Sequence, residues 1–323
     1  MREDSLVSIA MCTYNGERFI KEQIDSILEQ SYSHFELIIT DDCSSDKTIE
    51  IIQNYQENDT RIKLHQNEVN LGFVKNFEKA ISLCTGEYIT LADQDDIWKK
   101  GKLKTFIEKI GENVLIYSDA LLIDEDSERM EKELIRPDKE LISGSNNRAF
   151  LLENCVSGNT LMFKKVLVEY ILPIPEDVSF HDIWIAFVAS TYGSIIFTDE
   201  PMTYYRRYSE QVTKKRGKDY ENFFDRFEKK KTLKIKHAKV AVKDLNTFLS
   251  LKILKNEETK EIIEMLIKHF ENYEHSYYNM TLHTMLKKYK DDIFAIQQSN
   301  KRDKRVIRTA MGLKLHTRTL FVL

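Results

Sequence analysis

Two hydrophobic periods alternate through the first hundred residues, and that alternation limits the fold more than any single motif. Val7 to Met11 is a β-type run, and Phe19 to Leu28 carries Phe19, Ile20, Ile24, Ile27 and Leu28 at helical spacing. Phe35 to Thr40 reads as a second strand, followed by a helix holding Ile49, Ile51, Ile52 and Tyr55, with Ser44 or Ser45 as a natural N-cap. Arg61 to His65 reads as a short strand, Phe73 to Leu83 as a helix and Tyr88 to Ala92 as a fourth strand. Such repetition predicts right-handed βαβ units in a mostly parallel sheet. Ligands of such sheets bind beyond the carboxyl ends of the strands. Three polar clusters fall at those ends: Thr13-Tyr14-Asn15, Asp41-Asp42 and Asp93-Gln94-Asp95-Asp96.

The third cluster carries the most chemistry. Tyr88-Ile89-Thr90-Leu91-Ala92 reads as a buried strand that runs into three carboxylates within four residues. Asp is a poor strand former, and like charges this close repel one another. Either the cluster lies in solvent at a loop, or it holds a divalent cation such as Mg²⁺ or Mn²⁺ together with a diphosphate. No Gly-x-Gly-x-x-Gly follows the first strand and no Gly-x-x-x-x-Gly-Lys-Ser/Thr occurs, which counts against a dinucleotide-dependent dehydrogenase and a P-loop NTPase. Cys12, Cys43, Cys84 and Cys155 are widely spaced and read as free thiols in a reducing compartment, rather than as a zinc site or a disulfide framework.

Beyond Lys102 the pattern changes. Val114 to Ser118 and Ala120 to Ile123 look like two strands around Asp119, residues 124–147 like loops, and Gly158 to Phe163 like a further strand. Asp182 to Tyr192 is a largely apolar helix, and Ser194 to Thr198 and Met202 to Arg206 are short strands. From Asp219 to about His316 Pro and Gly are nearly absent and apolar residues keep helical spacing, which predicts a separate all-helical region. Charge follows the same division. From Lys214 onward 26 basic residues face 14 acidic ones, so with a net charge of −4 for the chain the first 213 residues carry −16. An acidic front half speaks against nucleic acid as a partner and suits a metal site.

Several spaced motifs, taken in order, resemble the family 2 inverting glycosyltransferases of GT-A fold. They are Val7-Ser8-Ile9-Ala10-Met11-Cys12-Thr13-Tyr14-Asn15, Phe35 to Thr48 with Asp41-Asp42-Cys43-Ser44-Ser45-Asp46, and Gly86 to Asp96. Asn70-Leu71-Gly72-Phe73-Val74-Lys75-Asn76-Phe77 and His181-Asp182-Ile183-Trp184 look like the rhamnosyltransferase-type bacterial members. The likeness covers about residues 5–213. It implies an α/β fold, a Rossmann-like nucleotide-diphospho-sugar transferase with a mixed sheet flanked by helices over residues 1–215; the all-α C-terminal region, 216–323, is outside it. Thr13, Tyr14 and Asn15 would then meet the nucleotide base, with the Tyr14 ring stacking on it. Asp41, or its neighbour Asp42, would accept the N3–H of a pyrimidine. Asp95 would bind Mg²⁺ or Mn²⁺ directly, Asp93 would meet the ribose or the hydrated metal, and Asp96 would assist. Lys75 would offset diphosphate charge, and Asp182 would be the base that takes the acceptor's proton.

One departure stands out: relatives often place a His after the Tyr-Arg-Arg-type strand, whereas Tyr208 follows Arg206-Arg207 here. Tyr208, Arg206 or Arg207 is then the candidate for a diphosphate contact, or metal dependence is weakened. The resemblance implies a nucleotide-diphospho-sugar donor, dTDP- or UDP-linked and including dTDP-rhamnose, with a cell-surface glycan or lipid-linked acceptor. Rival classes are a sugar-nucleotide hydrolase or nucleotidyltransferase on a similar sheet, and a non-catalytic scaffold. No apolar run of about 18 residues and no signal-like start is present, so the chain is expected in the cytoplasm. Its basic rear half, including Lys301-Arg302-Asp303-Lys304-Arg305-Val306-Ile307-Arg308, suits the anionic inner face of a membrane, and it suits a homo-oligomer contact or a solvated helix equally.

Overall fold

A computed structural model describes residues 5–135, 137, 139–208 and 223–314. Its chain order begins β1 (Val7–Thr13), α1 (Ile20–Leu28), β2 (Phe35–Asp41), α2 (Thr48–Asn58), β3 (Ile62–Gln66), α3 (Phe73–Leu83) and β4 (Tyr88–Asp93). Then follow β5 (Ile97–Trp98), α4 (Lys102–Ile110), β6 (Leu115–Ile123), β7 (Arg129–Glu133), β8 (Leu161–Lys164), α5 (Val168–Ile171), α6 (His181–Tyr192) and β9 (Ile195–Arg206). The helices α7 (Phe223–Leu249), α8 (Glu257–Glu271), α9 (Met280–Lys288), α10 (Lys290–Ile293) and α11 (Ser299–Ala310) complete it.

The nine strands of the described residues join one sheet, ordered β3-β2-β1-β4-β8-β6-β9-β5, with β7 paired to β6. The β3-β2-β1-β4 half is parallel, as the strand–helix alternation predicts. β8 is antiparallel to β4, and β6 to β8, so the sheet is mixed. Central strands β1, β2 and β6 are buried along their whole length, which is why they read as unbroken apolar runs rather than as alternating ones. Helix α1 buries Ile20, Ile24 and Ile27 against one face, and α3 buries Phe77, Ala80 and Ile81 against the other.

The expected and observed elements differ in a few places. The two strands flanking Asp119 are one, because the strand continues past a local irregularity at Ser118–Ala120 where Asp119 turns its carboxylate onto the Ala120 and Ile135 N–H groups. The two short strands before Arg206 are likewise one strand of 12 residues. Helix α2 starts at Thr48, whose N–H is met by Asp46 at 3.0 Å, not by Ser44 or Ser45. Gly158–Thr160 is a turn of 3-10 helix that precedes β8.

The C-terminal helices share an apolar core with the sheet. Leu245, Phe248, Leu251 and Ile262 belong to the cluster that holds Ile38, Phe163 and Phe187, and Phe187 stacks on Phe248 with centroids 4.2 Å apart. Asn256 and Asn279 cap α8 and α9 through the N–H groups of Thr259 and Leu282. Residues 209–222 and 315–323, the latter the end of the basic rear half, lie outside the described residues. Phe248→Ala is expected to lower unfolding free energy by about 3–5 kcal/mol in one urea transition. A second, separate transition would show that the helices fold apart from the sheet.

Candidate active site

Register brings the polar clusters together. Thr13 lies opposite Asp41 and Cys12 opposite Asp93, so β1, β2 and β4 end on one edge. Because β8 runs against β4, with Thr90 opposite Met162, the turn Gly158–Thr160 comes level with Asp93. Asp182 enters the same cleft from the first turn of α6. Its carboxylate accepts the Gly158 N–H and, at 3.1 Å, the Asn154 side-chain amide. Gly158 has to be a glycine here, since a Cβ would stand 2.7 Å from His181 Nε2.

The site is crowded with negative charge. Burial, then the charges of Asp95 and Asp182, push the Asp93 carboxyl up to about 7. Burial also pushes Asp182 up to about 7, against hydrogen bonds from Ile183, Gly158 and Asn154 that favour its ionised form. Asp96 sits deeper, accepting from the Asn159 amide and from the Arg206 N–H at 3.1 Å. Burial, Asp95 and Asp93 hold it well above the ordinary carboxylate range. Beneath these acids lies Lys102, fully buried, with its ammonium 3.6 Å from the Trp98 ring centroid. That ammonium donates to the Asn159 carbonyl at 2.6 Å and to Thr203 Oγ1 at 3.2 Å. One short turn thus ties the base candidate to the acidic loop: Gly158 bonds Asp182, and Asn159 bonds both Asp96 and Lys102.

On the other flank, Gln94 spans from β4 to β1, accepting the Tyr14 N–H at 2.8 Å and donating to its carbonyl at 3.0 Å. Gly16 leaves the space that the Gln94 amide fills. Tyr14 itself is half exposed, open to stacking. Asn15 has a left-handed φ of 49° and accepts the Ser45 N–H at 2.8 Å, which joins the first two clusters.

Some expected roles do not fit the geometry. Asp41 is fully buried and already accepts from Thr13 Oγ1, Ser44 N and Ser44 Oγ, so it has no face toward a base and Thr13 serves as its partner. Asp42 is almost as buried and accepts from Leu71 N, Gly72 N and the Asn67 amide, which fixes the entry to α3. Lys75 reaches Glu78 and the Ile174 carbonyl, both at 2.9 Å, and ties α3 to a loop. Arg206 is fully buried, donating to the Asp95 carbonyl, the Asp124 carbonyl, Ser127 and Glu22 with its guanidinium over Phe19, which leaves Arg207 and Tyr208 as the outer residues of that strand end. His181 is buried against the Phe77 ring, and Trp184 donates to the Ile171 carbonyl in the core. Asn154, Asn159 and Lys102 have no sequence motif. The one available signal was that Lys102 shares the apolar face of α4 with Phe106 and Ile110.

Among the described residues no three His, Cys, Asp or Glu side chains converge as a ready cation cage. Asp93 and Asp95 nevertheless fit a cation that draws its remaining ligands from phosphate and water. Asp93 faces two further carboxylates and receives no hydrogen bond from a described residue.

A mixed sheet flanked by helices, with acidic strand tips meeting a helix-borne carboxylate at one edge, defines a GT-A-type α/β fold. The chain belongs to the family described as Glycosyl transferase family 2, whose model matches residues 8–171. It is similar to TuaG of Bacillus subtilis, assigned by its name to teichuronic acid biosynthesis, with 39% identity over 113 residues, 35% of this chain and 45% of that one. It is also similar to WfgD of Escherichia coli, named as a UDP-Glc:α-D-GlcNAc-diphosphoundecaprenol β-1,3-glucosyltransferase, with 39% identity over 34% of this chain and 43% of that one. The aligned segment spans less than half the length of either relative. The structure of Staphylococcus aureus TarS 1–349 in complex with UDP superposes with a TM-score of 0.57 at 18% identity, over 98% of this chain and 91% of that one.

Because Asp182 titrates near 7 when folded against an ordinary 3.8, its contribution to stability is complete below 3.8 and is lost as pH rises through 7. Asp182→Asn is therefore expected to raise the thermal midpoint by a few degrees at pH 8 and to leave it unchanged near pH 4. Equal midpoints at both pH values would show that the carboxylate is not strained by burial.

Proposed function

We propose that the protein is an inverting glycosyltransferase that moves a sugar from a nucleotide-diphospho-sugar to a hydroxyl of a cell-surface glycan or lipid-linked acceptor. The observation that carries this reading is the pairing of Asp182 with the Asp93 carboxylate across one cleft, with Asp182 raised to about 7. A base of that strength is half ionised near neutrality and strong enough to take the proton of an attacking hydroxyl. The acceptor oxygen forms the bond to the anomeric carbon while the bond to the donor phosphate oxygen breaks, its electron pair leaving with the nucleoside diphosphate.

Gly158 and Asn154 hold the Asp182 carboxylate toward that attack, and the first turn of α6 fixes its backbone. Asp95 and Asp93 would hold Mg²⁺ or Mn²⁺, which when bound neutralises charge on the leaving diphosphate. Tyr14 is open to the nucleotide base, and Asn15 orders the loop beside it. The name of WfgD and the UDP complex of TarS support a UDP-linked donor, and the dTDP-linked donors, dTDP-rhamnose among them, belong to the same test. Among the described residues no helix is long and apolar enough to cross a membrane. We place the reaction at the inner membrane face, where such donors and acceptors meet.

A panel of UDP-, dTDP- and GDP-sugars with Mn²⁺ tests the reading by release of nucleoside diphosphate in the presence of acceptor. Asp182→Asn is expected to lower kcat by about 10²–10⁴-fold with donor affinity unchanged, and wild-type kcat should fall about tenfold per pH unit below 7. Asp95→Ala is expected to remove the Mn²⁺-dependent gain in donor affinity. Wild-type turnover in Asp182→Asn would take that residue out of the mechanism.

A further inference from the structure

A large groove lies where the C-terminal helices meet the sheet domain. Its volume is about 1090 Å³, and its walls come from α7, α11, Phe270 and Tyr273 on one side and Leu151, Leu152 and Ile183 on the other. Ile183 directly follows Asp182, and Leu152 lies two residues before Asn154, the amide that holds the Asp182 carboxylate. The lining of the groove is thus next in sequence to Asp182 and two residues from Asn154.

Its chemistry is divided. Leu151, Ile183, Ala238, Ala241 and Phe270 supply apolar floor, and Leu233 and Ile307 stay about half exposed at the rim. Four permanent cations, Lys234, Lys304, Arg305 and Arg308, line it against one carboxylate, Asp244. That carboxylate is turned onto Ser179, accepting from its N–H at 2.7 Å and its hydroxyl at 2.8 Å. Arg305 is engaged by Glu153 and Lys234 also has an interaction of its own, so Lys304 and Arg308, both exposed on α11, set the charge of the mouth. An apolar trough with a cationic mouth is complementary to one kind of molecule: a long hydrocarbon bearing a phosphate or diphosphate head. Neither a free glycan, which lacks the chain, nor a neutral lipid, which lacks the charge, uses both halves.

We propose that this groove binds the lipid-diphosphate portion of an amphiphilic acceptor, and so extends the glycosyltransferase reading, on which it rests, to the acceptor's carrier. The hydrocarbon lies along Leu151, Ile183 and Phe270, the diphosphate meets Lys304 and Arg308, and the attached sugar reaches toward Asp182. Binding through two unlike contacts makes the whole amphiphile bind far more tightly than either half.

Full-length protein in EDTA is titrated with farnesyl diphosphate, farnesol and inorganic pyrophosphate, so that no cation holds a diphosphate at Asp93 and Asp95. Farnesyl diphosphate is expected to bind at least tenfold more tightly than either half, and the double variant Lys304→Glu/Arg308→Glu to lose at least tenfold. UDP with Mn²⁺, measured by thermal shift on the same two proteins in EDTA-free buffer, should stabilise both equally, which separates failure of this site from failure of the donor site. Farnesyl diphosphate binding no better than pyrophosphate, or unchanged by the double variant, would overturn the proposal. So would a double variant that loses binding to phosphatidylglycerol vesicles yet keeps farnesyl diphosphate, since the cations would then serve a membrane surface.

Discussion

Crowding of carboxylates at one sheet edge is the constraint on which the rest of the molecule turns. Asp93, Asp96 and Asp182 meet beside Asp95 where solvent is excluded, and burial, joined at Asp93 and Asp96 by the charges of neighbouring carboxylates, resists their ionisation. The fold meets this with the buried Lys102 amine, which burial pushes well below the ordinary lysine range against the pull of Asp96 and Asp93, and with a turn whose amides reach Asp96 and Asp182. Asp93 remains raised all the same: burial and the charges of Asp95 and Asp182 outweigh the opposing effect of Lys102. A site built so is short of positive charge, and a divalent cation carrying a diphosphate supplies it.

The second theme is rigidity around that deficit. Arg206 is buried where an active-site arginine would need to be free, and it spends its donors on backbone carbonyls of Asp95 and Asp124 and on Glu22. Asp41 and Asp42 are similarly engaged, their carboxylates accepting from Thr13, Ser44, Leu71 and Gly72. These groups position the loops that carry Tyr14, Asn15 and Asp95. A reacting geometry held within fractions of an ångström needs such support, because small misplacements are costly in rate.

Much of this was legible in the sequence, and the reasons are physical. Apolar runs such as Val7–Met11 and Phe35–Thr40 marked strands because both of their faces are covered, and α3 was delimited residue for residue by its spacing. The strand-tip clusters were legible because parallel register puts consecutive carboxyl ends on one edge. What sequence left hidden is long-range. Nothing local tells that Asp41 faces inward to Thr13, that Asn159 meets Asp96 across 63 residues, or that Lys102 lies under Asp93. Asp119 broke a strand on paper and only kinked one in space, since its carboxylate found two N–H partners beside it. Helical spacing announced α7 to α11, yet only the packing of Phe248 on Phe187 reveals that they share the sheet's core.

The claim that these acids await a cation has a direct measure in proton balance. Calorimetric titration of Mn²⁺ with UDP at pH 7, repeated in buffers of different ionisation enthalpy, counts protons displaced on binding. With Asp93 and Asp182 both near 7 in the free protein, about half a proton or more should leave per metal bound. Binding without proton release would mean that the acidic edge is already ionised and solvated, and the account of the site would fall.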